Sequence, residues 1–172
     1  AITTCAATPA GPSIGSELMS SVEARLAELG VTLPTPPAAA GAYVPAVRTG
    51  NLLYLAGTLP MKDGKVASLG KVGREVDLVQ AADAARLCTL NALANAKAAL
   101  GSLDRVTRVV MVNGFVNGVD GFSDSPKVLN GASEFLLQIF GDAGKHARAA
   151  VSVNGLPLGV SVEVQLVLEV RD

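Results

Sequence analysis

Histidine occurs once in these 172 residues, tryptophan never, and cysteine twice. A hydrolytic zinc centre normally draws on several imidazoles, so a lone His146 argues against one. Cys5 and Cys88 stand far apart and make no disulfide framework, which suggests a reducing compartment. Charged residues reach only 17%, with a net charge of −1, so no basic field attracts nucleic acid. Aromatics, at 3%, are too few for a surface on which bases stack. No unbroken apolar run approaches the length that spans a bilayer, and no membrane contact is expected. There is no Gly-x-x-x-x-Gly-Lys loop, no Gly-x-Gly-x-x-Gly after a strand and no Gly-x-Ser-x-Gly elbow.

What is present is apolar. Hydrophobic residues make up 49%, and mean hydropathy is +0.41. The length fits one domain, and the apolar excess points to a subunit interface. Residues 1–15, rich in Ala, Thr, Pro and Gly without a basic residue, read as a flexible tail. Residues 16–40 read as an N-terminal helix and a Pro-rich linker. Leu18, Val22, Leu26 and Leu29 share a helical face, and Gly30 ends it.

From residue 41 to 172 the pattern is that of one domain. Residues 43–48 and 52–56 read as a hairpin around Thr49-Gly50-Asn51, and Asp63-Gly64 as a turn before a short strand. Asp77 caps a long helix to Gly101, on which Ala81, Ala85, Cys88, Ala92, Ala96 and Ala99 form a small-residue face. Residues 106–116 form a strand closed by Asn117-Gly118. Asp124 or Ser125 caps, and Pro126 opens, a helix ending at Phe140-Gly141. Asn-Gly occurs at Asn113, Asn117, Asn130 and Asn154, and most of these read as turns. Two strand–helix–strand units place two helices on one face of a mixed sheet, leaving the other face for another subunit.

The last two strands carry the candidate chemistry. Residues 146–153 and 160–170 read as a hairpin, the second alternating Val160, Val162, Val164, Leu166, Leu168 and Val170 with Ser161, Glu163, Gln165, Val167 and Glu169. Neighbouring antiparallel strands would present Arg148 and Glu163 from the same region. A guanidinium fork suits a carboxylate, and a carboxylate can move protons through a water. Taken by themselves, Arg148 reads more readily as one half of a surface ion pair, and Glu163 as a solvated strand position. Tyr43 reads as a half-buried edge aromatic, Asn130 as a surface or capping residue, His146 as structural or exposed, and Cys88 as core.

Several segments together resemble the Rid, or YjgF-type, reactive intermediate deaminase family, in a longer-chain branch. They are Gly41-Ala-Tyr43-Val-Pro, Gly50-Asn-Leu-Leu-Tyr-Leu-Ala-Gly57-Thr-Leu-Pro60, Gly101-Ser-Leu-Asp-Arg-Val, Val112-Asn-Gly-Phe-Val, Ala147-Arg148-Ala-Ala-Val and Val162-Glu163-Val. The resemblance covers roughly residues 41–170, most of the chain. It implies an α+β, chorismate-mutase-like fold and a homotrimer whose sheets face a central β-barrel, with clefts between subunits. It implies hydrolytic deamination of 2-enamine or 2-imine acids, such as 2-aminoacrylate or iminopyruvate, to 2-keto acids and ammonia, with no cofactor or metal. By the same resemblance Arg148 binds the substrate carboxylate and is catalytic with Glu163, which activates water. Tyr43 closes the cleft, Asn130 lines it, Gly57 allows close approach, and Ala150 contributes its backbone carbonyl.

Two positions depart from the family pattern. Ala56 stands where the compact deaminases have serine, and Ala150 where they have cysteine. The loss at Ala56 keeps a non-catalytic, metabolite-binding trimer as the alternative. An endoribonuclease fits the acidic balance worse. The expected location is cytoplasmic, or an organelle should residues 1–15 be the remnant of a transit peptide.

Overall fold

The computed structural model describes residues 21–36 and 41–172. Ser21 caps helix α1 (Val22–Glu28), its hydroxyl accepting from the Ala24 N–H at 3.1 Å. Gly30, just past its end, takes a left-handed φ of 65°. The expected helix start near residue 16, and Leu18, lie outside the described residues. Helix α1 packs on the outer side of the domain through Leu26. Its Glu23 carboxylate accepts from Lys97 at 2.7 Å and from the Leu103 N–H at 3.2 Å.

Strands β1 (Ala46–Thr49) and β2 (Leu52–Leu55) form the expected hairpin. The turn at Asp63-Gly64, with φ of 51° and 74°, joins β3 (Met61–Lys62) to β4 (Lys65–Val66) in a separate two-stranded ribbon. Helix α2 (Leu78–Leu100) opens with a capping box: Asp77 accepts from the Gln80 N–H, and the Gln80 side chain accepts from the Asp77 N–H. Strand β5 (Val106–Asn117), helix α3 (Ser125–Phe140), strand β6 (Ala147–Val153) and strand β7 (Val162–Val170) complete the chain. Asp124 stands at the cap position of α3, but its carboxylate pairs with Lys127 at 2.9 Å instead of bonding a helix N–H.

The main sheet runs β1-β2-β7-β5-β6. A connection through α3 returns the chain in its original direction, so β6 lies parallel to β5 while every other pairing is antiparallel. This corrects one expectation. Strands β6 and β7 are not a hairpin, because β5 stands between them and takes up both pairing edges.

Helices α2 and α3 cover one face of the sheet. Ala81, Ala85, Cys88, Ala92 and Ala96 of α2 are fully buried, as a small-residue face requires for close helix–sheet contact. Ala99 is exposed, and Leu100 takes the last buried position. Val162, Val164, Leu166, Leu168 and Val170 of β7 form the opposing layer. Two of the four Asn-Gly pairs are not turns. Gly114 lies inside β5, where a side chain would overlap Leu129, and Gly131 lies inside α3, where one would overlap the Ala82 carbonyl of α2. In both, glycine is selected by contact distance.

Among the described residues nothing covers the other sheet face, which is partly apolar. Register places Val47, Tyr54, Val167 and Met111 in one row across it, with Phe115 and Val151 beside them. Val47, Tyr54 and Val151 are 54%, 43% and 46% exposed. Among the described residues no helix is long and apolar enough to cross a membrane.

Gly131→Ala tests the helix contact, because two effects oppose each other. Alanine raises intrinsic helix propensity by about 1 kcal/mol, whereas forcing α2 and α3 apart costs about 1–3 kcal/mol. The expected result is a lower melting temperature by thermal denaturation. A higher one would show that propensity, not contact, governs the position.

Candidate functional site

Arg148 lies opposite Val112 of β5, which is fully buried beneath the helices. Directly paired residues project to the same face, so Arg148 leaves the sheet on its helix side, at the free edge of β6. There its Nη1 donates to Asn130 Oδ1 and to Ser133 Oγ, both at 3.0 Å and both on α3. No carboxylate pairs with it among the described residues. Two acceptors occupy both protons of Nη1. The Nε and Nη2 edge remains, and that edge is a two-pronged donor for a carboxylate. Ala150, two residues along on the same strand face, is half-buried opposite Gly114.

The arginine is held from behind. Ser133 Oγ lies 3.0 Å from His146 Nε2, and His146 Nδ1 lies 2.6 Å from the Gly144 carbonyl oxygen. A carbonyl only accepts, so Nδ1 carries the proton. In the neutral ring Nε2 then accepts from Ser133, and Ser133 accepts from Arg148. Burial lowers the His146 pKa from its ordinary value, and the Arg148 charge acts in the same direction. Sequence reasoning passed over Ser133 and treated His146 as structural. The available signals were spacings: Ser133 is one helical turn after Asn130, and His146 is two residues before Arg148.

Glu163 occupies a different place. On β7 it pairs with Phe115 of β5 and projects to the uncovered sheet face. Its carboxylate rests on Gly57, where any side chain would overlap Oε1. The next residue ties that segment to β7: Thr58 N–H donates to the Val164 carbonyl at 2.8 Å, and Val164 N–H donates back at 3.1 Å. The Thr58 hydroxyl lies 2.9 Å from the carbonyls of both Cys88 and Val164. Desolvation pushes the Glu163 carboxyl above its ordinary pKa, with no cation beside it to offset the effect. Such a carboxylate is a stronger base than a solvated one. Cys88 is core, fully buried with its thiol directed to the Val162 carbonyl at 3.5 Å.

Arg148 and Glu163 therefore do not meet within one chain. Two strand spacings and three residues of register separate their Cα atoms by roughly 14 Å, and their side chains leave opposite faces. The exposed Tyr43 belongs to the bend before β1, at the far edge of the sheet from β6. Each chain thus carries Arg148, Asn130 and Ala150 on one side and Glu163 with Gly57 on the other. Among the described residues no group of three or more His, Cys, Asp and Glu side chains converges to hold a metal ion.

Comparison with known proteins matches this architecture. A family profile described as "YjgF/chorismate mutase-like, putative endoribonuclease" matches residues 23–170. Protein TCP17 of Trypanosoma cruzi is 41% identical over 152 residues, covering 88% of this chain and 95% of its own length. The crystal structure of Atu1372 from Agrobacterium tumefaciens, a protein of unknown function, superposes with a TM-score of 0.81 at 47% identity, over 87% of this chain and 92% of that one. The Escherichia coli YjgF gene product gives a TM-score of 0.59 at 27% identity, over 80% and 94% of the two chains. With its two helices on one face of a mixed sheet, the chain belongs to the YjgF/chorismate-mutase-like family.

Proposed function

We propose that this protein hydrolyses 2-imino acids, and the 2-enamine acids that tautomerise to them, to 2-keto acids and ammonia, in clefts between the subunits of a homotrimer. The observation that carries the reading is Arg148, an exposed guanidinium that among the described residues has no carboxylate partner and bonds only through Nη1. Such a group supplies the charge and the fork that a small organic acid needs. Glu163, desolvated and resting on Gly57, supplies a base. Since the two leave opposite faces, a neighbouring copy completes the site, and the apolar row on the uncovered face is what that copy would bury.

The chemistry asks little of the protein. With the carboxylate on Arg148, Glu163 takes a proton from water as its oxygen bonds to the imine carbon. The imine nitrogen gains a proton, and the carbinolamine forms. A further proton reaches nitrogen, the C–N bond breaks, ammonia leaves, and loss of the hydroxyl proton gives the keto acid. Oxidation states do not change, so no electron carrier takes part. Positioning and proton transfer account for the rate. Asn130 holds Arg148, the Ala150 carbonyl helps hold the attacking water, and Tyr43 closes the cleft from a neighbouring copy. Ala56, beside Gly57, lacks a hydroxyl for the substrate, which favours a metabolite-binding trimer as the second reading. The family's description as endoribonuclease meets a chain of net charge −1 with few aromatics, a poor surface for RNA.

Light scattering at micromolar concentration should find a trimer, and a monomer would leave both half-sites incomplete. Arg148→Lys should weaken pyruvate binding about tenfold or more, since an ammonium cannot form the fork; equal affinity would remove the bidentate role. Ammonia release from freshly generated iminopyruvate separates the two readings. Glu163→Gln keeps the side chain's shape and removes the base, so turnover should fall by about 10²-fold or more while pyruvate still binds. No rate above background in the unaltered protein would make it a binding module.

A further inference from the structure

We propose that Ser133 and His146 are positioning residues of the Arg148 anion site, and that capture of a carboxylate there is coupled to protonation of His146. The inference deepens the reading of Arg148 as a carboxylate binder and rests on it. Its basis is the directed chain Arg148 Nη1–H to Ser133 Oγ, Ser133 O–H to His146 Nε2, and His146 Nδ1–H to the Gly144 carbonyl, with steps of 3.0, 3.0 and 2.6 Å. Each donor has one acceptor, and the chain runs away from the guanidinium. With Asn130 it holds Nη1 from behind and leaves Nε and Nη2 for the ligand.

The same chain makes the site sensitive to one proton. When His146 is protonated, Nε2 donates to Ser133, and the hydroxyl must turn its own proton elsewhere; the carbonyl four residues back is the usual alternative for a mid-helix serine. Ser133 then accepts from both cations and still holds Arg148. The imidazolium and guanidinium nitrogens stand no more than about 6 Å apart, which disfavours the proton while the site is empty. An anion on Arg148 reverses that balance. By reciprocity, if the carboxylate favours the protonated ring, the protonated ring favours the carboxylate by the same factor.

Among the described residues no other charge near His146 competes. On the turn before β6, Asp142 and Lys145 pair with each other at 2.7 Å, and on α3 Lys127 pairs with Asp124 at 2.9 Å. Glu134, beside Ser133 on α3, is displaced by about 100° around the helix. The β5 positions facing β6 on the helix side, Val112 and Gly114, carry no charge. Among the described residues Arg148 is the charged side chain that acts on the ring.

His146 is the only histidine, so its C2–H resonance reports the site without assignment by mutation. The experiment is a pH titration of that resonance with and without saturating pyruvate, alongside pyruvate affinity from pH 5.5 to 8. The expected result is a higher His146 pKa in the complex and binding about three- to tenfold tighter at low pH. His146→Gln should lose that tightening, and any pH dependence left would belong to Glu163. Pyruvate that binds while the histidine titration stays put would overturn the coupling alone. Pyruvate that fails to bind at every pH would overturn the carboxylate role of Arg148, and this proposal with it.

Discussion

Strand β5 is shared by two neighbours, and the candidate site depends on that sharing. Its parallel bond to β6 follows from the α3 crossover, and its antiparallel bond to β7 from the chain's return across the sheet. Register along β5 then decides faces. Val112 carries Arg148 to the helix side, and Phe115 carries Glu163 to the uncovered side. Moving β7 by one residue would put Glu163 under the helices and a valine in its place, and moving β6 by one would carry Arg148 to the uncovered face and leave an alanine opposite Val112.

Close packing supports the arginine's position. Gly131 lets α3 settle against the α2 backbone, and Gly114 lets Leu129 settle on β5. These two contacts seat α3 beside β6, where Asn130 and Ser133 reach Arg148. A stability feature and a binding feature thus share one helix. The same economy holds on the other side, where Gly57 gives the Glu163 carboxylate its space and Thr58 holds that segment to β7.

Electrostatics divide the two halves. Arg148 is exposed, held by neutral acceptors and without a counter-charge, a state that favours an incoming anion. Glu163 is half-buried, without a cation, and raised toward the neutral form. Were the two paired within one chain, each would suppress the other's chemistry: the arginine would be neutralised and the glutamate would lose basicity. Separation across the sheet keeps both reactive, and in the proposed function a second copy brings them to one ligand.

The sequence determined the elements because their causes are local. Alternation marked β7, the Asp77 and Gln80 box marked the start of α2, glycine closed the α2 face at residue 101, and Asp63-Gly64 marked a turn. Alternation and side-chain chemistry singled out Arg148 and Glu163, and the family resemblance added Gly57 and Asn130. Pairing was not local. Residues 146–170 looked like a hairpin because adjacent strands usually pair, and only the tertiary structure put β5 between them. Likewise, Asn113-Gly114 and Asn130-Gly131 carry the same letters as turns though they fall inside a strand and a helix, and only the approach of Leu129 and of the Ala82 carbonyl explains the glycines there. Ser133 and His146 came together the same way: thirteen residues apart in sequence, they meet because α3 lies over the edge of β6.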